Sequence, residues 1–395
     1  MNTVEFGSLF EFIRNGMNVK QDKSGHGLPV TRIETISDST IDPSRVGFAG
    51  LEESDCSDWL LQRGDILFSH INSVEHIGKC AVYTGRPEKL VHGMNLLCLR
   101  SDPKQILPEF AKYLIRSKQF RGRLANFINK AVNQASVSIT NLKKISVVIP
   151  SLAEQLRVAN FLDKAEVLRT KRRAAIATLH TLPQAIFLEM IGDPIKNPKG
   201  WPPASLGDVV DLLTGYPFRS EEYVGEFDSV RLCRGANILP GRIDWSDVVH
   251  WSKSKSAEFS QFALIPGDVL IAMDRPWISE GFKIAQVQSA DCPSLLVQRV
   301  SRLRGRSGVL SEFLYHLLRQ AAFTHHCRPT ETTVPHISPR DIHSYTFPLP
   351  PMTVQQDFAK RVGMAAKLNS CLTTSSAQID ELFAALQVRA FRGEL

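Results

Sequence analysis

The chain has 395 residues, enough for two or three domains with cores of their own, and its 43% hydrophobic and 22% charged residues are those of ordinary globular material. No apolar run approaches the roughly 18 to 20 residues of a membrane span. The opening Met1–Glu5 lacks a signal segment, and seven cysteines without Cys-x-x-Cys spacing argue against a disulfide framework, so a reducing, cytoplasmic setting is expected. A net charge of +7, from 47 Lys+Arg against 40 Asp+Glu, suits a polyanionic partner without proving one.

Up to about residue 150 the pattern is mixed. Leu9, Phe12 and Ile13 have the spacing of a short amphipathic helix, and Pro29–Ile36, Asp65–Ser69, Gly78–Thr84 and Met94–Arg100 read as β segments. Phe110, Leu114, Ile115, Phe120, Leu124 and Phe127 predict one helix over about 108–128, and Ile145–Ile149 a strand stopped by Pro150. Ser151 and Glu154 have capping-box spacing. From there Phe161, Ala165, Leu168, Arg172, Ala175, Leu179, Leu182 and Ile186 step by four and three, as a coiled-coil seam does. Pro183 predicts a kink or a break in that run, and residues 192–203, rich in Gly and Pro, form a connector.

The second half repeats the first. Leu206–Leu213 matches the first helix, Asp268–Ala272 and Leu295–Leu303 read as strands, and Leu310–Ala322 is the internal helix. Phe358, Val362, Ala365, Asn369, Leu372, Ser376, Ile379, Phe383, Leu386 and Ala390 again step by four and three. Gly7 and Gly207 stand 200 residues apart, Gly64 and Gly267 203, and Pro150 and Pro350 200, so the chain is a duplication and not a solenoid of short repeats. Two seams of similar length can satisfy each other by pairing antiparallel, as a rod of roughly 50 to 60 Å, longer than the ~34 Å turn of duplex DNA. The competing arrangement packs each helix on its own domain. Flanking prolines, and no further core segment after Leu386, favour helix against helix.

Catalytic signatures fail on their own requirements. Ser73–Cys80 lacks the first glycine and the final hydroxyl of a P-loop, and neither a Gly-x-Gly-x-x-Gly after a strand nor a Gly-x-Ser-x-Gly elbow occurs. The Asn/Asp-Pro-Pro-aromatic tetrapeptide of amino-methyltransferases is absent too. His325-His326-Cys327 has no second ligand pair at a suitable spacing, so no metal site is expected.

Five segments taken in order carry a family resemblance: the start Leu206-Gly207-Asp208-Val209-Val210, the Gly-Asp strands at 64–67 and 267–270, the helix start Ile149–Gln155, the connector Gly192–Pro202 and the terminus Arg389–Leu395. Over nearly its whole length the chain resembles the DNA specificity subunit of type I restriction-modification systems. The resemblance implies an α+β protein of two duplicated mixed α/β target recognition domains, joined pseudo-two-fold by two long helices in an antiparallel coiled coil. Residues 1–150 would be the first recognition domain, 151–191 the central helix, 192–205 the connector, 206–351 the second recognition domain and 352–395 the distal helix. It further implies a non-catalytic subunit that binds no cofactor. Each recognition domain would read half of a bipartite duplex target, and the helices would space the domains and dock two methyltransferase subunits, themselves the binders of S-adenosylmethionine. Translocating endonuclease subunits are further partners where restriction accompanies modification. The rival is a coiled-coil adaptor whose globular domains bind protein; a self-sufficient methyltransferase or nuclease comes last.

Polar residues leaving the Gly-Asp strands at matching places are the expected DNA contacts: Ser69, His70 and Asn72 in one half, Arg275 in the other. A second matched place holds Lys130, Asn133, Gln134 and Ser136, and Arg328, Thr330, Thr332 and Thr333. Asn and Gln suit adenine, Arg guanine, hydroxyls phosphate. Loop solvation and local capping compete equally for any single residue. For Arg302, Arg304 and Arg306, spaced by two, a solvated edge is the first expectation, with phosphate contact by Arg302 and Arg304 the second. Lys171, Arg172 and Arg173 are expected at the partner interface or against the duplex backbone between the half-sites, and Phe391 and Arg392 of the terminal motif at the partner interface. Phe161, Leu168, Leu179, Leu182, Val362, Leu372, Ile379 and Leu386 represent the seams.

Overall fold

A computed structural model describes residues 2–36, 39–130, 134–306, 308–327 and 335–392. The chain divides into two compact units, one reaching Arg173 and resuming at Thr374, the other Ala174–Thr373. Both boundaries fall inside the long helices, α1 (Leu152–Met190) and α2 (Met352–Arg392). Ser151 Oγ accepts the Glu154 amide at 3.4 Å to start α1, and the helix runs on through Pro183 without a break, giving up the one hydrogen bond that the missing amide would donate. Among the described residues no helix is long and apolar enough to cross a membrane.

In the first unit, β1 (Phe10–Asn15), β2 (Ile66–Phe68), β3 (Cys80–Val82) and β4 (Leu97–Ser101) form an antiparallel sheet in the order β1-β4-β2-β3. Alternate side chains serve two cores. Ile66, Phe68, Leu97 and Leu99 pack with Phe110 and Leu114 of the helix Pro108–Arg116, while Leu67, Ala81 and Cys98 pack with Ile36, Leu61 and Tyr83 on the other face. Burial on both faces explains why these strands read as unbroken apolar runs.

The second unit repeats the sheet with β5 (Val210–Thr214), β6 (Val269–Ala272), β7 (Ile284–Gln286) and β8 (Val300–Gly305), ordered β5-β8-β6-β7. It adds a three-stranded sheet of Ser229–Cys233, Val249–Ser252 and Ser294–Leu296, backed by Phe218, Trp251 and Phe259. The sequence pattern gave no sign of its first two strands.

Several expectations change. Phe6–Leu9 is one 3-10 turn followed by β1, and Leu206–Val209 one helical turn followed by β5, so neither amphipathic helix exists as read. A run this short satisfies helical and alternating spacing equally, and the neighbouring strand decides by supplying hydrogen-bond partners. The helix over 108–128 breaks at Ser117, whose ψ of 147° is extended and whose Oγ caps the Phe120 amide at 3.2 Å. The segment 310–322 likewise becomes Ser311–Leu318 and Ala321–His326. Pro29–Ile36 forms no strand and ends in a 3-10 turn, and 295–303 is two strands parted at Arg299.

On α2, Phe358, Val362, Ala365, Phe383 and Ala390 are buried, with Asn369, Leu372, Ser376, Ile379 and Leu386 half-buried. On α1 the inward row is Val158, Leu162, Ala165, Arg169, Arg172, Ile176, Leu179, Pro183 and Ile186, the first two buried and the rest half-buried, each 200 residues before an α2 position. Leu179 and Leu182 are half-buried, but Phe161 and Leu168 are 47% and 61% exposed and leave the seam. The reason is Arg169. Its guanidinium bonds Asp380 and lies 4.3 Å over the Phe383 ring, so a charged residue takes the inward place that spacing offers equally to Leu168. In the first unit Arg172 also donates to Ser375 Oγ (2.6 Å), and Phe391 packs on Phe110 at 5.4 Å; in the second, Phe187 packs on Phe313 and Phe358.

Candidate nucleic-acid interface

The internal repeat separates scaffold from variable rim. Gly64 (φ 97°) and Gly267 (φ 96°) make the same left-handed turn, which only glycine adopts without strain. The aspartate after each is buried and grips one arginine through two bonds: Arg100 to Asp65 at 2.7 and 2.8 Å, Arg304 to Asp268 at 2.7 and 2.9 Å. The carboxylate raises the pKa of both guanidinia through these bonds. Gln155 and Gln355, both buried, repeat a second clasp. Gln155 accepts from the Leu107 amide (2.9 Å) and donates to the carbonyls of Gln105 (2.9 Å) and Pro150 (3.1 Å). Gln355 accepts from Leu310 and donates to Gly308 and Pro350, all at 2.9 Å. The Gly-Asp and Gln motifs are therefore structural.

At the far end of β2 the two expected contact loops come together in the first unit, and at the far end of β6 the chain exit meets residues 335–337 in the second. Residues 71–72 pair with 135–136, Ile71 opposite Ser136 and Asn72 opposite Ala135, and Asn129–Lys130 pairs with Ala135–Ser136. In the second unit Asp274 bridges His336, the Arg275 amide donates to the Pro335 carbonyl (2.9 Å), and the Ile337 amide to Met273 (2.9 Å). The first corner has a hollow of about 230 Å³ lined by Glu34, Ser69, Asn72, His76 and Lys79 among others. Lys130 and Gln134 are exposed, Asn72 and Ser136 half-buried, and Arg275 exposed, its side chain with no hydrogen bond or ion pair among the described residues.

Other expected contacts are used inside the fold. Ser69 and His70 are buried, and burial pulls the His70 pKa down to about 4, leaving a neutral ring and not a phosphate-binding cation. Arg302 is buried, its guanidinium bonded to Asp211 and to the Gln261 carbonyl, and Arg304 is held by Asp268; both serve the sheet and are withdrawn as DNA contacts. Arg172 is committed to Ser375 and Phe391 to the core, which removes them from a docking face; Arg173 lies 3.4 Å from Asp380 and Lys171 is exposed. Asn133, Arg328, Thr330, Thr332 and Thr333, and the side chain of Arg392, lie outside the described residues. Among the described residues no group of His, Cys, Asp or Glu is placed to hold a metal.

A duplicated α/β unit with a fixed sheet, a variable strand-exit rim and two long helices defines a class of DNA specificity proteins. The model of the type I restriction modification DNA specificity domain matches residues 1–177 and 198–380, and the chain belongs to that family; it is a non-catalytic specificity subunit. It is 30% identical over 382 residues, 91% of its length and 85% of the relative's, to a putative type I restriction enzyme MjaX specificity subunit of Methanocaldococcus jannaschii. The EcoAI specificity subunit of Escherichia coli is 35% identical over 164 residues, 41% of this chain and 28% of that protein. Two solved structures share the fold: a chain of a type I restriction-modification system (TM-score 0.61, 18% identity, covering 100% of this chain and 98% of that one) and the S subunit from M. genitalium (0.57, 13%, 99% and 96%).

Arg299 and His336 sit in the second corner but were not among the expected contacts. Arg299 was hidden inside an expected strand, where the polar pair Gln298-Arg299 within an apolar run was the available signal.

Proposed function

We propose that the chain is the DNA-reading subunit of a type I restriction-modification complex, each unit reading one half of a bipartite duplex target through its strand-exit corner. One observation carries this reading: the sheet, the Gly-Asp turn and the Gln clasp are the same in both units, while the side chains at the paired corners differ. A frame held constant under a rim that varies is what two independent readers of different base sequences require. S-adenosylmethionine is assigned to the methyltransferase partner, and endonuclease subunits join through that assembly.

The long helices serve as the methyltransferase platform, paired antiparallel. On α1, Phe161 with Arg157, Asn160 and Lys164 lines an open groove of about 400 Å³, and Leu168, two turns on, is exposed. Two hundred residues on, Met364 and Leu368 of α2 are 64% and 51% exposed at the places of Lys164 and Leu168. Apolar side chains left in water at equivalent places on both helices fit two copies of one partner.

The test is a map of methylated adenines in cells carrying this gene and its methyltransferase, against cells lacking this gene alone. A bipartite motif that vanishes with the gene is the expected result. An unchanged pattern, with both proteins present, sinks the reading and returns the adaptor to first place.

A further inference from the structure

The two copies, compared position by position, isolate a side-chain relay that exists in the second unit alone. At the exit of β6, Asp274 Oδ1 accepts a 2.6 Å hydrogen bond from His336 Nδ1, and its Oδ2 lies 3.6 Å from Arg299 Nε. The first unit has Ile71, Ser136 and Asn95 at the matching places, with no charged group among them. Features present in both copies hold the fold; this relay is present in one only, so the common frame does not require it.

The backbone supports the same conclusion. Arg275 (φ 45°) and Arg299 (φ 65°) both occupy the left-handed region, which disfavours side chains and is kept where the surroundings enforce it. The two loops are tied together by the Met273 amide donating to the Arg299 carbonyl at 2.9 Å. Among the described residues Arg275, Arg299 and Lys283 outnumber the carboxylate of Asp274; Lys283, whose ammonium bonds the Gly235 carbonyl, has its pKa lowered by burial and by Arg275. The corner is therefore cationic and faces outward, with the Arg299 side chain 60% exposed.

Phosphate contact needs only a basic side chain, whose orientation matters little. Arg299 instead turns its Nε edge toward Asp274 at ion-pair distance, 3.6 Å, which favours one orientation of the guanidinium and leaves the terminal nitrogens without a partner among the described residues. A fork presented in this way matches the O6 and N7 acceptors of guanine in the major groove. We infer that Arg299 reads a guanine in the half-site of the second unit, with Asp274 and His336 as positioning residues, and this rests on the reading that each unit recognises half of a duplex target. Arg275, unbraced, supplies a phosphate contact beside it.

The experiment uses the whole complex in cells. Exchanging residues 206–351 for those of another specificity subunit first identifies which half of the methylated motif belongs to the second unit. Methylation maps are then compared for the native chain, Arg299→Ala, Arg299→Lys and His336→Ala. Arg299→Ala and Arg299→Lys are expected to make one guanine position in that half degenerate, with discrimination reduced roughly ten- to hundred-fold, while the other half and the spacer stay as they were. His336→Ala should relax the same position to a smaller degree, which loss of fold would not do. Arg299→Lys preserves charge and bulk, so full methylation with that guanine still required, or a uniform fall at every site without relaxation, overturns the inference. If the native chain directs no bipartite motif, the underlying reading fails as well, and the two failures are thereby told apart.

Discussion

Single side chains in this protein divide into those the repeat duplicates and those it does not. Gln155 and Gln355 belong to the first kind. Replacing either by Leu strands a backbone amide and two carbonyls that are otherwise satisfied, and should cost about 1–3 kcal/mol of stability in its own unit, read from urea unfolding. His92 and His316 are buried and neutral, one per unit, with pKa values pulled down to about 4 by burial from 6.5. Because the folded pKa lies below the unfolded one, the unfolded chain takes up the proton first: stability is full above about pH 6.5 and declines as pH falls toward 4, by about 3 kcal/mol for each ring. His92→Gln and His316→Leu should each flatten that slope in melting curves recorded across pH 4 to 7. Such roles were only partly legible. The sequence marked Gln155 and Asp65 through their repeats, but a repeat cannot say whether a residue faces DNA or grips its own backbone. Arg302 and Arg304 looked like phosphate ligands because two-residue spacing puts them on one face, and Asp211 and Asp268, which claim them, lie far off in sequence.

Elements whose pattern was long enough to be unambiguous, the two helices above all, could be read directly, and those of four to six residues could not. β1 resembled a helix because Leu9, Phe12 and Ile13 satisfy either period. The seam of α1 shows a subtler failure. Its four-three steps admit two rows sharing Ala165, Arg172, Leu179 and Ile186, and hydrophobicity alone chooses Phe161 and Leu168 where the fold buries Leu162 and Arg169. The 200-residue register to α2 resolves the choice. This displaced row supplies a prediction: Phe161→Glu with Leu168→Glu should leave stability within about 0.5 kcal/mol of native, because both side chains are exposed. Methyltransferase binding at one site should weaken about ten-fold or more. Met364→Glu with Leu368→Glu should do the same at the other. Native mass spectrometry would then show one methyltransferase per chain with either pair and none with both; two copies retained throughout would move the platform elsewhere.

At the scale of the whole molecule, the duplication was the most legible feature, since nearly equal offsets at Gly7, Gly64 and Pro150 fix it without any structural knowledge. What could not be read is how each half is completed. Exchange of residues 1–150 for another recognition domain should change one half of the methylated motif and preserve the other, because the corner at 69–72 and 134–136 lies wholly inside that segment. Change in both halves would refute independent reading. The first compact unit is not a continuous stretch of chain, however: the whole of the second is inserted within it. The first is closed by Phe383, Ala390 and Phe391, which join a core otherwise built from residues before 166. A ribosome making this protein therefore releases the second unit's sequence before the first can finish folding, and pairing across some two hundred residues is slow by its topology. A transcript cut short ahead of Phe383 would yield a chain with Phe110 and Tyr113 uncovered, open to proteolysis, and not a subunit that reads half a target.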